Sequence, residues 1–234
     1  MPADFMNIWL PLIVAALVQA SFALGVSMLT LLSSHILASK KPERLGRLSF
    51  FYIEGIFMAV FIGLAALVFF LVQLPYSQGA HFWAIISGAA TGIGLMVLLF
   101  YYSFGKKNGT RLWIPRASAE FLYKRTRAVS QPFEAFILGV ASVIIELVFI
   151  IAPLVIAANL IVNLAGTMQI LAIFIYVVIA ILPTFLLYLS NLRRNKISNF
   201  QLWREKNKKF LQVTAGFLLM ILGIYLFTYK AIGG

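Results

Sequence analysis

Glu146 is the side chain whose position most demands a chemical reason, because it lies near the middle of 133–161, an apolar run of membrane-spanning length. Crossing about 30 Å of hydrocarbon takes roughly 20 helical residues at about 1.5 Å each. An ionised carboxylate at that depth costs about 2.5–3.5 kcal/mol on insertion scales, so it faces protein or water and has a partner. None of the apolar runs contains a Lys or Arg to pair with it. A carboxyl in that setting is neutral when empty and charged when a cation or water reaches it, which is the behaviour of a proton carrier or cation ligand. The plainer alternative is a hydrogen-bonded carboxyl that pins one helix to the next.

Four other places in the chain could share that chemistry. Gln19, Ser27, Thr30 and Ser34 recur at spacings of three, four, seven and eleven, which puts them on one face of a helix, with Ser33 and His35 beside it. Gln19 is costly in lipid and must face inward, whereas Ser27 and Thr30 could equally bond to backbone or to a neighbouring helix. Glu54 sits about six residues into the second apolar run, where it either pairs with Arg47 or lines a path from the basic side. Pro153 removes a backbone hydrogen bond from the helix that carries Glu146, so it bends that helix or offers a freed carbonyl to a cation; Pro183 does the same in the fifth run. The candidate binding or coupling set is therefore Glu146, Glu54, Gln19, Ser27, Thr30 and Pro153. No nucleophile, base and orienting group assemble from the apolar runs, so no catalytic residue, metal site or cofactor is expected. With no cysteine among 234 residues, disulfides, thiolate metal sites and thiol redox catalysis are excluded.

The elements that must position these residues are transmembrane helices. A composition that is 62% hydrophobic and 11% charged, with a mean hydropathy of +0.96, marks an integral membrane protein and excludes a soluble domain. Six apolar runs are expected as an all-α, polytopic arrangement, at about 8–38, 48–74, 82–104, 133–161, 170–189 and 210–228. All but one of the 19 Lys and Arg residues fall in the three loops after the first, third and fifth runs, and none falls in the two loops between. The positive-inside rule makes the three basic loops cytoplasmic, so six spans in the cell membrane leave both termini outside. The start of the chain has no basic residue before Lys40, so no signal peptide is expected.

The net charge of +12 is thus topological, directed at anionic lipid headgroups and not at nucleic acid. Segments 118–129 and 199–211 mix basic residues with Phe, Leu, Tyr and Trp and could lie along the inner surface. His81 reads as an outer-surface residue. In the third run, Gly88 and Gly92 form a GxxxG pattern that predicts close helix packing, either within the chain or in a homodimer. The Asn108-Gly-Thr110 sequon falls in a cytoplasmic loop and has no expected role.

The chain divides into a first half at 1–104, a basic linker at 105–132 and a second half at 133–234. Three helices per half invert the second half relative to the first, the arrangement of many secondary transporters. An internal echo, Phe22-Ala-Leu-Gly-Val26 against Phe136-Ile-Leu-Gly-Val140, supports a repeat.

Three-plus-three helices, the long basic central loop, the Phe136-x-Leu138-Gly139-Val140 helix start and the final basic stretch entering a Gly-containing helix resemble the lysine-exporter superfamily. That group includes amino-acid exporters, metal-ion exporters and the membrane part of cytochrome c biogenesis thiol transporters. The resemblance implies a small secondary transporter or exporter. It does not carry thiol chemistry, whose catalytic cysteines in helices one and four are missing, nor the paired acidic motifs of the metal exporters. The expected function is proton-coupled export of a small solute or cation; the alternative is a non-transporting scaffold, immunity factor or complex subunit whose basic loops bind lipid or protein.

Overall fold

The computed structural model describes residues 5–22, 42–74, 79–104, 124–125, 129–192 and 197–232, and every element within them is helical. A π-helical turn, Phe5–Trp9, leads into α1 (Leu10–Phe22); α2 (Pro42–Gln73), α3 (Ala80–Phe104), α4 (Pro132–Val162) and α5 (Gly166–Leu192) follow. The chain closes with α6 (Ile197–Leu226), which runs into a second π-helical turn, Phe227–Ile232. Apolar surroundings force this outcome, because a helix satisfies its own backbone polar groups where no water can.

Three stretches are long and apolar enough to cross a membrane, Gly46–Gln73, Ala80–Leu99 and Gly166–Leu189, and α4 adds a fourth if its two limbs count together. Their outward side chains, among them Ile62, Phe69, Ile85, Met96 and Ile170, are exposed and suited to lipid. The protein is therefore a helical membrane protein, with three to four full-length candidate spans among the described residues. Two of the six expected ones are not full-length within the described residues. The expected continuation of α1 to residue 38 lies outside the described residues, and α6 spends its first turns on Arg204, Lys206, Lys208 and Lys209, leaving the shorter apolar stretch Val213–Tyr229.

The helix carrying Glu146 is anchored at both ends. At its start, Pro132 occupies the first turn and the Glu134 carboxylate accepts the backbone N–H groups of Ser130 (2.7 Å) and Gln131 (3.2 Å), which have no intrahelical partner. Arg44 donates to the Ser130 carbonyl (3.0 Å), tying the start of α2 to the start of α4. At the far end, Asn163 donates to the Asn159 carbonyl (2.9 Å) and Gln169 to the Leu164 carbonyl (3.0 Å), satisfying oxygens that the tight α4–α5 turn would strand. Between these anchors the axis turns by 92° from Pro132–Leu147 to Ile150–Val162. The break falls next to residue 149, four before Pro153, where the proline ring meets a carbonyl and the missing N–H leaves it unbonded.

Glycine decides how closely the helices approach, though not the glycines expected. Among the described residues nothing lies within 4 Å of where a Cβ on Gly88 or Gly92 would stand, and both residues are exposed, so this GxxxG pattern packs against none of them. The tight crossings are elsewhere. A Cβ on Gly139 would collide with the Tyr52 carbonyl oxygen, and one on Gly55 with the Phe136 carbonyl oxygen, so α2 and α4 meet backbone to backbone. A Cβ on Gly94 of α3 would lie 2.8 Å from the Gly216 carbonyl oxygen of α6, and one on Gly223 of α6 would lie 2.8 Å from the Ser87 carbonyl oxygen of α3.

Buried positions recur between helices. Positions 12, 15, 16, 19 and 20 of α1 are buried, as are 135, 138, 139, 142 and 143 of α4, a constant interval of 123. Positions 48, 49, 52, 53, 56 and 60 of α2 match 172, 173, 176, 177, 180 and 184 of α5 at 124, and 86, 87, 90, 94 and 97 of α3 match 215, 216, 219, 223 and 226 of α6 at 129. The echo expected between 22–26 and 136–140 has an interval of 114 instead, and residues 23–26 lie outside the described residues. Burial sets Gly139 level with Ala16.

Replacing Gly139 with Ala is expected to lower stability by about 1–3 kcal/mol, because backbone must move to admit the methyl group. Gly88→Ala should be neutral or stabilise by up to about 1 kcal/mol through helix propensity. Unfolding midpoints of the two variants in detergent, compared with wild type, check the contrast.

Candidate functional site

Four helices enclose a small cavity, and the residues that line it come from one face of each. Tyr52, Ile56 and Val60 on α2 stand one turn apart; Ser142, Val143, Glu146 and Ile150 come from α4; Ala180, Ile181 and Thr184 come from α5; and Gln19 comes from α1. The cavity has a volume of about 20 Å³, room for one water or one bare ion. Glu146 is partly buried on its wall, one turn before the bend that Pro153 imposes. The bend swings the second limb of α4 away, and Ile150 at the start of that limb still reaches the wall.

Two tyrosines brace the site from opposite helices. Tyr176 on α5 is fully buried and donates to the Gln19 side-chain oxygen at 2.6 Å. Tyr52 on α2 donates to the Ser142 hydroxyl oxygen at 3.1 Å, and Ser142 in turn donates to the Gly139 carbonyl at 2.7 Å. The α2–α4 crossing at Gly139 is thus the same place where the tyrosine is received. Gln19, Ser142 and Thr184 are almost completely shielded, so each polar group here must find its partner within the protein.

Of the residues singled out from the sequence, Glu146 and Gln19 line one cavity. Pro153 is buried and stands off the wall, acting through the bend. Glu54 does not line the cavity; it is partly buried on α2, and among the described residues it forms no ion pair with Arg47. The physical reason is angular, since two residues past Tyr52 is roughly 200° around a helix and so faces away. Ser27, Thr30, Ser33, Ser34 and His35 lie outside the described residues. His81 is exposed at the start of α3, as expected.

Tyr52, Ser142, Tyr176 and Thr184 are site residues that sequence reasoning missed. A signal existed for part of this set: Ser142 and Glu146 are four apart, and Tyr176 and Thr184 eight apart, both helical spacings for polar residues in apolar runs. Compared with family models, with curated proteins and with solved structures, the chain finds no match.

Tyr176→Phe leaves the buried Gln19 oxygen without its donor and should cost about 1–2 kcal/mol. Adding Gln19→Leu removes the stranded acceptor, so the double variant should recover much of that loss. A double-mutant cycle on unfolding midpoints tests this; strictly additive losses would show that the pair does not interact.

Proposed function

We propose that the protein is a small secondary transporter or exporter of the cytoplasmic membrane, built as six spans in two inverted three-helix halves, with Glu146 as its coupling carboxylate. The observation that carries this reading is that Glu146, the carboxylate of the apolar core of α4, lines a cavity to which two helices of each half contribute. Transporters of this kind bind at the interface of the repeats, near the midplane and beside discontinuous helices. The 92° bend in α4 supplies such a discontinuity one turn from Glu146.

Several features support the repeat. The three burial intervals of 123, 124 and 129 pair α1 with α4, α2 with α5 and α3 with α6. Exchanging the members of each pair maps most of the helix contacts onto one another: α2 against α4 becomes α5 against α1, α1 against α6 becomes α4 against α3, and α2–α5, α3–α6 and α1–α4 map to themselves, while α4–α5 and α5–α6 have no counterpart of the same extent. The glycine contacts follow the same exchange, Gly94 on the Gly216 carbonyl and Gly223 on the Ser87 carbonyl. Tyr52 on Ser142 and Tyr176 on Gln19 are related in the same way.

The basic loops orient both termini outward and face anionic headgroups inside. The outward-facing Gly88 and Gly92 leave room for the helix of a second copy, as a homodimer would require. Likeness to the lysine-exporter superfamily, in helix order and loop charge, belongs to the same proposal. Rigid-body rocking of one half against the other would open the cavity alternately to each side.

The test is a growth-inhibition screen across amino acids, divalent metals and amphipathic toxins, in cells lacking the gene and restored with wild type or Glu146→Gln at equal membrane abundance. Relief from one compound by wild type alone is the expected outcome. Equal relief by both proteins would remove Glu146 from the mechanism, and failure of the variant to accumulate would assign the carboxyl a structural role.

A further inference from the structure

Two seams between the halves flank the cavity, and they are built differently. α2 and α4 both start at the basic end of the bundle, and Tyr52, Gly139 and Ser142 precede the lining residues Ile56, Val60, Glu146 and Ile150. The α2–α4 seam therefore lies between the cavity and the basic end. α5 starts at the opposite end, just after the α4–α5 turn, and Tyr176 precedes the lining residues Ala180 and Thr184. The topology proposed above runs α1 in the same direction as α5, so the α1–α5 seam lies on the outer side of the cavity.

The burial intervals make the two seams equivalents of one another: 139 corresponds to 16, 55 to 179, 52 to 176 and 142 to 19. What stands at these positions differs. On the inner seam Gly139 and Gly55 admit backbone against backbone, whereas on the outer seam Ala16 and Ile179 put a methyl group and a branched side chain in the equivalent places. Helix axes come closest where glycine faces backbone, so the outer pair is held further apart. The hydrogen-bond acceptors follow the same difference: Tyr52 meets the short side chain of Ser142, while Tyr176 meets the longer one of Gln19. The inner seam has a further tie from Arg44 to the Ser130 carbonyl, across the starts of the same two helices.

In lipid the strength of such a seam comes from van der Waals fit at close approach and from hydrogen bonds. The inner seam has its backbone fit whether or not one hydrogen bond is lost. The outer seam, with wider spacing, leans on the fully buried Tyr176–Gln19 bond. Once it parts, outer water can satisfy both groups, so outward opening is the less costly motion. We propose that the α1–α5 seam is the one that opens in the resting protein, exposing the cavity to the outer side, and that the Tyr176–Gln19 hydrogen bond is its latch. This deepens the transporter reading and rests on it for the direction of α1.

The chain has no cysteine, so a single introduced thiol reports the opening without background. The experiment places Ala180→Cys on the cavity wall of the full-length protein and measures its reaction with a membrane-impermeant maleimide, in whole cells and in inside-out vesicles. His81→Cys, at the exposed start of α3, identifies the outer side. Ala180→Cys is expected to react faster from the His81 side than from the basic side. Adding Tyr176→Phe should raise that rate about three- to tenfold, the population shift set by one buried hydrogen bond in a membrane protein. Adding Tyr52→Phe should leave the rate from the basic side unchanged, because the backbone contact remains. If Tyr176→Phe does not accumulate, combining it with Gln19→Leu removes the stranded acceptor and should give the same rise; Val143→Cys replaces Ala180→Cys if that reporter does not accumulate. Faster reaction from the basic side overturns the proposal, as does an outer rate that loss of the Tyr176 hydroxyl does not raise. So does Tyr52→Phe opening the basic side as readily as Tyr176→Phe opens the outer one, or a thiol that reacts only in denatured protein. None of these results decides transport, which the growth screen tests separately: a seam that opens as expected in a protein that relieves no compound stands without the transporter reading.

Discussion

The rest of the structure depends on the backbone contact between α2 and α4, where Gly139 faces the Tyr52 carbonyl and Gly55 faces the Phe136 carbonyl. In a lipid environment there is little hydrophobic gain in pressing two helices together, because acyl chains are as apolar as leucine. Close van der Waals fit and interhelical hydrogen bonds must supply the association. Two glycines remove the side chains that would hold the axes apart. That proximity brings the Tyr52 hydroxyl to Ser142, and it carries Glu146, one turn beyond Ser142, into a space shared with α1 and α5.

Once the axes are that close, the polar groups become a matter of supply. Each hydroxyl or amide held away from water must find a partner or incur its desolvation cost, and in this site the partners form short chains: Tyr52 to Ser142 to the Gly139 carbonyl, and Tyr176 to Gln19. Such chains leave little freedom to turn a hydrogen around.

The burial intervals pair positions of unlike chemistry. The same intervals that align Tyr52 with Tyr176 also set Ser142 against Gln19, Val60 against Thr184 and, in the sequence, Glu146 against Ala23. Packing needs a residue of tolerable size at each equivalent position, so it constrains size and leaves polarity free.

Apolar run length alone was enough to locate α2, α3, α4 and α5 within a few residues, because a chain in lipid must be helical and long enough to cross. Glu146 was legible for the same reason: a charge at that depth is conspicuous against any background of Leu and Ile. Rotation about the helix axes was not legible. Helices that are apolar on every side show no difference between a lipid face and a protein face, so Gly88 and Gly92 read as packing residues while the contacts belong to Gly55, Gly139, Gly94, Gly216 and Gly223. The same loss of angular information left the role of Glu54 open, and it hid the partners Tyr52, Ser142, Tyr176 and Thr184. Pro153 announced a bend, yet its 92° size depends on what the second limb packs against. Composition and run length thus determined that this is a helical membrane protein with a carboxylate inside an apolar run, while tertiary packing decided which faces meet and therefore what surrounds it.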